Sequence, residues 1–147
     1  MTIENRKLRI LFLCTGNSCR SQMAEGWARH RNPNEIEAYS AGIEKRGLDP
    51  LAVRVMAEAG VDISGQRSKT IDDLPGYDFD WVITLCGHAN ETCPLFPGGT
   101  QRMHAGFDDP PVLAKDASTE EEALGHYRRV RDEIRIFIDK LPEKLRP

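Results

Sequence analysis

Apolar residues along the chain recur at spacings that change from one element to the next. Leu8 to Leu13 (LRILFL) is apolar except for Arg9 and runs into the small and polar residues Cys14 to Arg20. A short apolar run bounded by turn-forming residues predicts a buried strand feeding a loop. From Ser21 to His30 the spacing becomes helical, with Met23, Ala24, Trp27 and Ala28 on one face and Gln22, Glu25 and Arg29 elsewhere. Ile36 to Ala41 alternates as a second strand does, and Asp49-Pro50 supplies a cap and a first-turn proline for a helix that Gly60 ends. Phe79 to Leu85 (FDWVITL) predicts the third strand. A Pro- and Gly-rich loop from Cys86 to Thr100 follows, then a short strand around Gln101 to Ala105 and an irregular stretch through Asp108-Asp109-Pro110-Pro111. Thr119 and Glu122 have capping-box spacing, and Tyr127, Val130, Ile134, Phe137, Ile138 and Leu141 recur as a helix face. Strand, loop, helix is the opening unit of a parallel sheet. The expectation is an α/β fold, one domain over residues 1–147, with a four-stranded parallel sheet flanked by helices.

Length and charge narrow the function classes. The 147 residues suffice to bury a core without disulfide staples. With 20 Lys plus Arg against 23 Asp plus Glu, the net charge of -3 offers no overall basic field, so nucleic acid is not an expected partner. Met1 to Arg9 is polar, and Leu11-Phe12-Leu13 is far too short for a signal segment or membrane span, which predicts a cytoplasmic protein with no membrane partner. Thiols stay reduced in that compartment, so four cysteines point to catalysis or metal binding rather than to structural bridges.

Cys14 at a strand end, five residues, and Arg20 entering a helix form C-x5-R, followed by Ser21. In such a loop the backbone N–H groups of Thr15, Gly16, Asn17, Ser18, Cys19 and Ser21 turn inward and add to the positive end of the helix, which favours a tetrahedral oxyanion and a thiolate. Free cysteine has a pKa of ~8.5 and such positions lower it, so Cys14 is the expected anionic nucleophile. Arg20 offers a bidentate fork to two anion oxygens. Gly16 permits close backbone approach, and Asn17 braces the loop through its side chain. The plainer alternative is a strand-turn-helix corner in which two buried cysteines act as small hydrophobes.

The run Cys14-Thr15-Gly16-Asn17-Ser18-Cys19-Arg20-Ser21-Gln22-Met23-Ala24-Glu25-Gly26-Trp27 resembles the signature of thioredoxin-coupled arsenate reductases of the low-molecular-weight protein tyrosine phosphatase superfamily. Tyr39-Ser40-Ala41-Gly42, Thr84-Leu85-Cys86-Gly87 and Gly106-Phe107-Asp108-Asp109-Pro110 resemble further segments of it in the right order, so the likeness covers nearly the whole chain. It implies a phosphatase-like fold, arsenate as substrate, thioredoxin as electron donor, no cofactor, and Asp109 as the acid that protonates a leaving oxygen. Read without the loop, Asp108 to Pro111 is a solvated turn.

A phosphatase cycle has no use for Cys86 or Cys93, whereas arsenate reduction does. As(V) accepts two electrons, so a second thiol attacking the sulfur of a Cys14–arsenic adduct expels arsenite and leaves a Cys14–Cys86 disulfide. Cys93 then attacks Cys86, frees Cys14 and carries the oxidised pair to where thioredoxin reaches it. Cys93 meets Cys86 only if the intervening loop rearranges, so that loop is expected to be mobile. Zinc held by Cys86, His88, Cys93 and His104 is a competing use, but the spacing lacks the tight C-x2-4-C element of structural sites, and no metal is expected. His30, His88 and His126 read as surface residues, and Cys19 as structural or an off-pathway oxidation site. In several of the reductases that the chain resembles, an asparagine, a glutamate, a serine carbonyl and an aspartate hold potassium beside the loop. The first three match Asn17, Glu25 and Ser40, and the fourth falls on Lys69, whose ammonium would take the cation's place or else point into water. Hydrolysis of phosphomonoesters is the runner-up activity, and a non-catalytic oxyanion sensor is a third reading.

Overall fold

The computed structural model describes residues 6–76, 78–96 and 98–145. Strand β1 (Leu8–Cys14) lies inside a four-stranded sheet of order β2-β1-β3-β4, with β2 (Ile36–Gly42) on one side and β3 (Trp81–Thr84) and β4 (Gln101–His104) on the other. All neighbours are parallel, as the sequence led us to expect, and the register pairs Cys14 with Gly42 and Leu13 with Thr84. The chain leaves β1 toward β2 on one side and later returns to lay β3 on the other. That switch point opens a crevice beyond the carboxyl ends of β1 and β3, where open α/β sheets bind ligands.

Alternation along β1 divides the core, because successive strand residues face opposite sides. Leu8, Ile10 and Phe12 pack with α1 (Arg20–Arg31), α2 (Pro50–Glu58) and α5 (Glu120–Leu145), while Leu11 and Leu13 join Val82, Phe79 and Ala89 in a smaller cluster. Asp49 caps α2 by accepting from the Leu51 N–H at 2.9 Å, and Gly60, at a left-handed φ of 87°, follows its end. Helix α5 carries Pro142, whose ring removes the donor that would reach the Ile138 carbonyl. Asn32 Nδ2 donates to that carbonyl instead, at 3.1 Å, and the helix continues.

Four details differ from the sequence reading. Helix α1 is buried on nearly all sides from Arg20 to Ala28, because the segment 63–69 covers the face carrying Gln22 and Glu25. The stretch 86–100 is not all loop: a short helix, α3 (Gly87–Thr92), stands at its start. Pro110–Ala114 forms helix α4 with Asp109 at its N-cap, where an irregular stretch was expected. The α5 capping box is only half made, since Thr119 Oγ1 accepts from the Glu122 N–H while the Glu122 carboxylate accepts from Ser118.

Candidate active site

The loop between β1 and α1 is shaped by where its carbonyls go. Those of Cys14, Thr15, Gly16 and Ser18 accept from the N–H groups of Ile43, Glu44, Arg46 and Asp49, respectively, that of Asn17 accepts from Gln22 Nε2, and that of Cys19 accepts from Met23. With every carbonyl drawn outward, the N–H groups face the interior of the loop. Among the described residues none of those from Gly16 to Ser21 is donated to a protein acceptor. Such a ring of free donors at the start of a helix is an anion site. Gly42 is required beside it: a Cβ there would meet the Glu44 carbonyl at 2.4 Å, the Asn17 nitrogen at 2.7 Å and the Thr15 carbonyl at 2.8 Å.

Arg20 begins α1 and is nearly buried. Its Nη1 donates to the Phe107 carbonyl at 2.9 Å, its Nη2 lies 3.4 Å from Asp109 Oδ2, and its buried Nε has no partner among the described residues. An unpaired buried guanidinium nitrogen is costly unless an anion completes it. A cavity of about 310 Å³ lies over the loop, bounded by Cys14, Arg20 and Asp109 and, on its rim, by Arg46, Val112 and Lys115.

Asn17, at φ 48°, braces the loop from behind: Nδ2 donates to Ser21 Oγ (2.8 Å) and Ser40 Oγ (3.0 Å), and Oδ1 accepts from Gln22 Nε2 (2.9 Å) and the Lys69 N–H (2.9 Å). Ser40 Oγ in turn donates to buried Glu25 at 2.6 Å. The Lys69 ammonium approaches this group, 3.5 Å from Glu25 Oε1, 3.4 Å from Ser40 Oγ and 3.1 Å from the Arg67 carbonyl.

Cys14 ends β1 and Cys86 follows the end of β3, so the sheet brings them to the same edge, close enough for each thiol to shift the other's protonation. With Leu13 paired to Thr84, Cys86 lies one residue past the position level with Cys14. A strand spacing of ~4.8 Å and a rise of ~3.3 Å then put their Cα atoms roughly 6 Å apart, inside the roughly 4.4–6.8 Å that a disulfide spans. Cys86 Sγ also lies 3.1 Å from Thr15 Oγ1 and accepts from the Ala89 N–H at 3.4 Å as the N-cap of α3. The two thiols are coupled. The neighbouring Cys86 thiol, together with burial, pushes the Cys14 thiol up against the pull of Arg20. The Cys14 thiol, with the Thr15 and Ala89 contacts, holds Cys86 at about 4 despite burial. The two shifts are opposite and each has the other thiol as its first cause, so the pair favours a single thiolate, which Arg20 stabilises on either sulfur. Cys93, half-buried, ends α3 and points its thiol at the Pro94 carbonyl. Cys19 is buried at the N-cap of α1, its thiol raised by burial and then by Asp49 and Asp109.

The fold thus gathers Cys14 to Ser21, Cys86 and Asp109 at one crevice and places Lys69 with Asn17, Glu25 and Ser40 behind it. It leaves Cys93 at the far end of α3. Among the described residues no three His, Cys, Asp or Glu side chains group as metal ligands. Arg46 and Lys115 on the cavity rim were missed. The Asp-Pro pair at 109–110 repeats the helix-start signal of 49–50 and would have located α4, which carries the rim past Val112.

A strand-end cysteine in a donor-lined loop, an arginine at the next helix and an aspartate across the cavity define a class of thiol enzyme acting on oxyanions. The chain belongs to the low molecular weight phosphotyrosine protein phosphatase family, whose model matches residues 9–147. Within that family it is 55% identical over 130 residues to an arsenate reductase of Halalkalibacterium halodurans, covering 88% of this chain and 91% of that protein. A solved arsenate reductase in the phosphate binding state superimposes with a TM-score of 0.74 at 33% identity, covering 95% of this chain and 99% of the other. A thioredoxin-dependent arsenate reductase of Corynebacterium glutamicum has a TM-score of 0.69 at 25% identity, covering 95% of this chain and 62% of that one.

Proposed function

We propose that the chain reduces arsenate to arsenite through Cys14, Cys86 and Cys93 in turn and is recharged by thioredoxin. The observation that carries this reading is the placement of Cys86 against the anion loop that begins at Cys14, its Sγ 3.1 Å from Thr15 Oγ1, with a third cysteine at the end of α3. Arsenate enters the ring of N–H groups and pairs with the free face of Arg20. The Cys14 thiolate displaces one oxygen from arsenic, which leaves as water once Asp109 supplies a proton. Cys86 then attacks Cys14 Sγ. The S–As bonding pair stays on arsenic, which becomes As(III), and the two sulfurs, having lost two electrons, form a bridge. Cys93 attacks Cys86 Sγ, Cys14 departs as thiolate, and the bridge becomes Cys86–Cys93.

That last exchange requires α3 to unwind. A helical rise of ~1.5 Å per residue sets Cys86 and Cys93 about 10 Å apart, well beyond disulfide reach. Likeness to relatives named as arsenate reductases, one of them named as thioredoxin-dependent, supports the substrate and the reductant. None of the described helices is long and apolar enough to cross a membrane, and thioredoxin coupling fits work in the cytoplasm. Lys69, with its ammonium against Glu25 and Ser40, takes the role of a bound cation in steadying Asn17. Phosphomonoester hydrolysis remains a second reading, favoured by a loop whose donors suit any tetrahedral oxyanion. NADPH consumption by thioredoxin and its reductase separates the two: it should require both this protein and arsenate, and its absence, with release of phosphate from a phosphomonoester, would favour hydrolysis.

A further inference from the structure

The last turn of α3 is closed by a side chain from the sheet. In a continuing helix the Asn90 carbonyl would accept from the N–H four residues on, but that residue is Pro94, which has none. The helix stops at Cys93, whose backbone (φ -59°, ψ 123°) is already outside the helical region. Arg102, on edge strand β4 and paired with Val82 of β3, serves that carbonyl instead. Its Nη2 donates to the Asn90 carbonyl and, at 3.0 Å, to Asn90 Oδ1. Because β3 also delivers Cys86, the two ends of α3 are tied to the same pair of strands. Apolar burial adds little between them, since Ala89 is the only buried residue of the helix. At the near end the Cys86 sulfur accepts from Ala89, and a disulfide sulfur is a poorer acceptor than a thiolate. Once Cys86 is bridged to Cys14, the Arg102 contact is the stronger remaining hold.

We propose that Arg102 is a positioning residue that latches α3 through Asn90 and so keeps Cys93 away from Cys86 until the latch opens. The latch itself is independent of the chemistry; its consequence for turnover rests on the relay reading. When α3 unwinds, the Cys93 thiolate attacks Cys86 Sγ, the Cys14–Cys86 bond breaks, Cys14 leaves as thiolate, and no net electrons are exchanged. Burial pushes the Cys93 thiol up and the Arg102 charge pulls it back, so the residue that delays the encounter also helps the nucleophile.

Hydrogen exchange on the reduced full-length protein tests the latch without arsenate. In Arg102→Met the amides of residues 88–93 should exchange about tenfold faster, the loss expected for a charge-assisted cap. Arg102→Lys, which still offers a donor to the carbonyl, should restore much of the protection, and the amides of β3 and β4 should not change. Acid-quenched single turnovers of Arg102→Met with arsenate should show the Cys86–Cys93 bridge forming faster by a similar factor. Unchanged exchange in residues 88–93, or acceleration spread over the whole sheet, would overturn the proposal. Faster local exchange with no Cys86–Cys93 bridge in any variant would uphold the latch and count against the relay. Asn90→Ala, which leaves the carbonyl and removes the Oδ1 that accepts from Arg102 and, at 3.4 Å, from Thr84, should give a few-fold local acceleration, and its failure to do so would likewise overturn the proposal.

Discussion

Gly42→Ala places a methyl group where three backbone atoms already stand, the Glu44 carbonyl at 2.4 Å, the Asn17 nitrogen at 2.7 Å and the Thr15 carbonyl at 2.8 Å. No side chain can rotate away to make room, so the loop backbone itself must move. Overpacking costs ~1–3 kcal/mol, and contact with backbone alone puts this case near ~3 kcal/mol. At roughly 2–4 °C per kcal/mol for a chain of this size, Tm should fall by about 6–12 °C. The moved atoms belong to the ring that aims N–H groups at the anion, so phosphate, a stand-in for arsenate, should bind at least ~10-fold more weakly, a loss of about 1.4 kcal/mol. Calorimetry with phosphate and a thermal melt measure both. Gly65→Ala is the control, since a Cβ there meets nothing within 4 Å. A Gly42→Ala protein that melts and binds phosphate like the parent would refute the account of how the loop is held.

Three further outcomes follow from the same contacts. Cys86 is depressed to about 4, so its stabilising effect is full above the ordinary thiol value and is lost as pH falls toward 4, whereas raised Cys14 has the opposite sign and loses its effect as pH climbs past the ordinary thiol value. Between those limits one thiolate should persist, so ultraviolet thiolate absorbance should stay near one equivalent down to about pH 5 and vanish there in Cys86→Ser; a titration near the ordinary thiol value would contradict this. Gly87→Ala, in open space on α3, should raise helix propensity by ~0.5–1 kcal/mol and slow formation of the Cys86–Cys93 bridge about two- to fivefold, which quenched-flow peptide mapping would detect or exclude. Exchanging potassium for sodium at constant ionic strength should leave parent activity nearly unchanged, while Lys69→Met should melt lower and gain stability from potassium; strong potassium activation of the parent would defeat the Lys69 assignment.

The parts of the fold that were legible in sequence are those where periodicity and punctuation agree. β1, its loop and α1 were plain because an apolar run, a small-residue cluster and a helical stripe follow one another, and they fix Cys14 and Arg20 at the ends of their elements. Helix α3 was not legible: GHANET has no apolar stripe, and its ends are held by the Cys86 sulfur and by Arg102, neither of which local propensity reports. The burial of Gln22 and Glu25 was equally hidden, because it depends on the distant segment around Gln66 to Lys69 folding over α1. The coupling of Cys86 to Cys14 follows from two strand ends meeting across the sheet, a fact of topology that no local motif encodes.

The order of the three thiols is tested most directly by one acid-quenched turnover of Cys93→Ser with arsenate, followed by peptide mapping. The account predicts about one arsenite per protein and a trapped Cys14–Cys86 bridge, because exchange has no third sulfur to carry oxidation outward, while the parent protein accumulates Cys86–Cys93. Full multiple turnover of Cys93→Ser with thioredoxin, or a parent protein that releases arsenite without ever forming Cys86–Cys93, would contradict it.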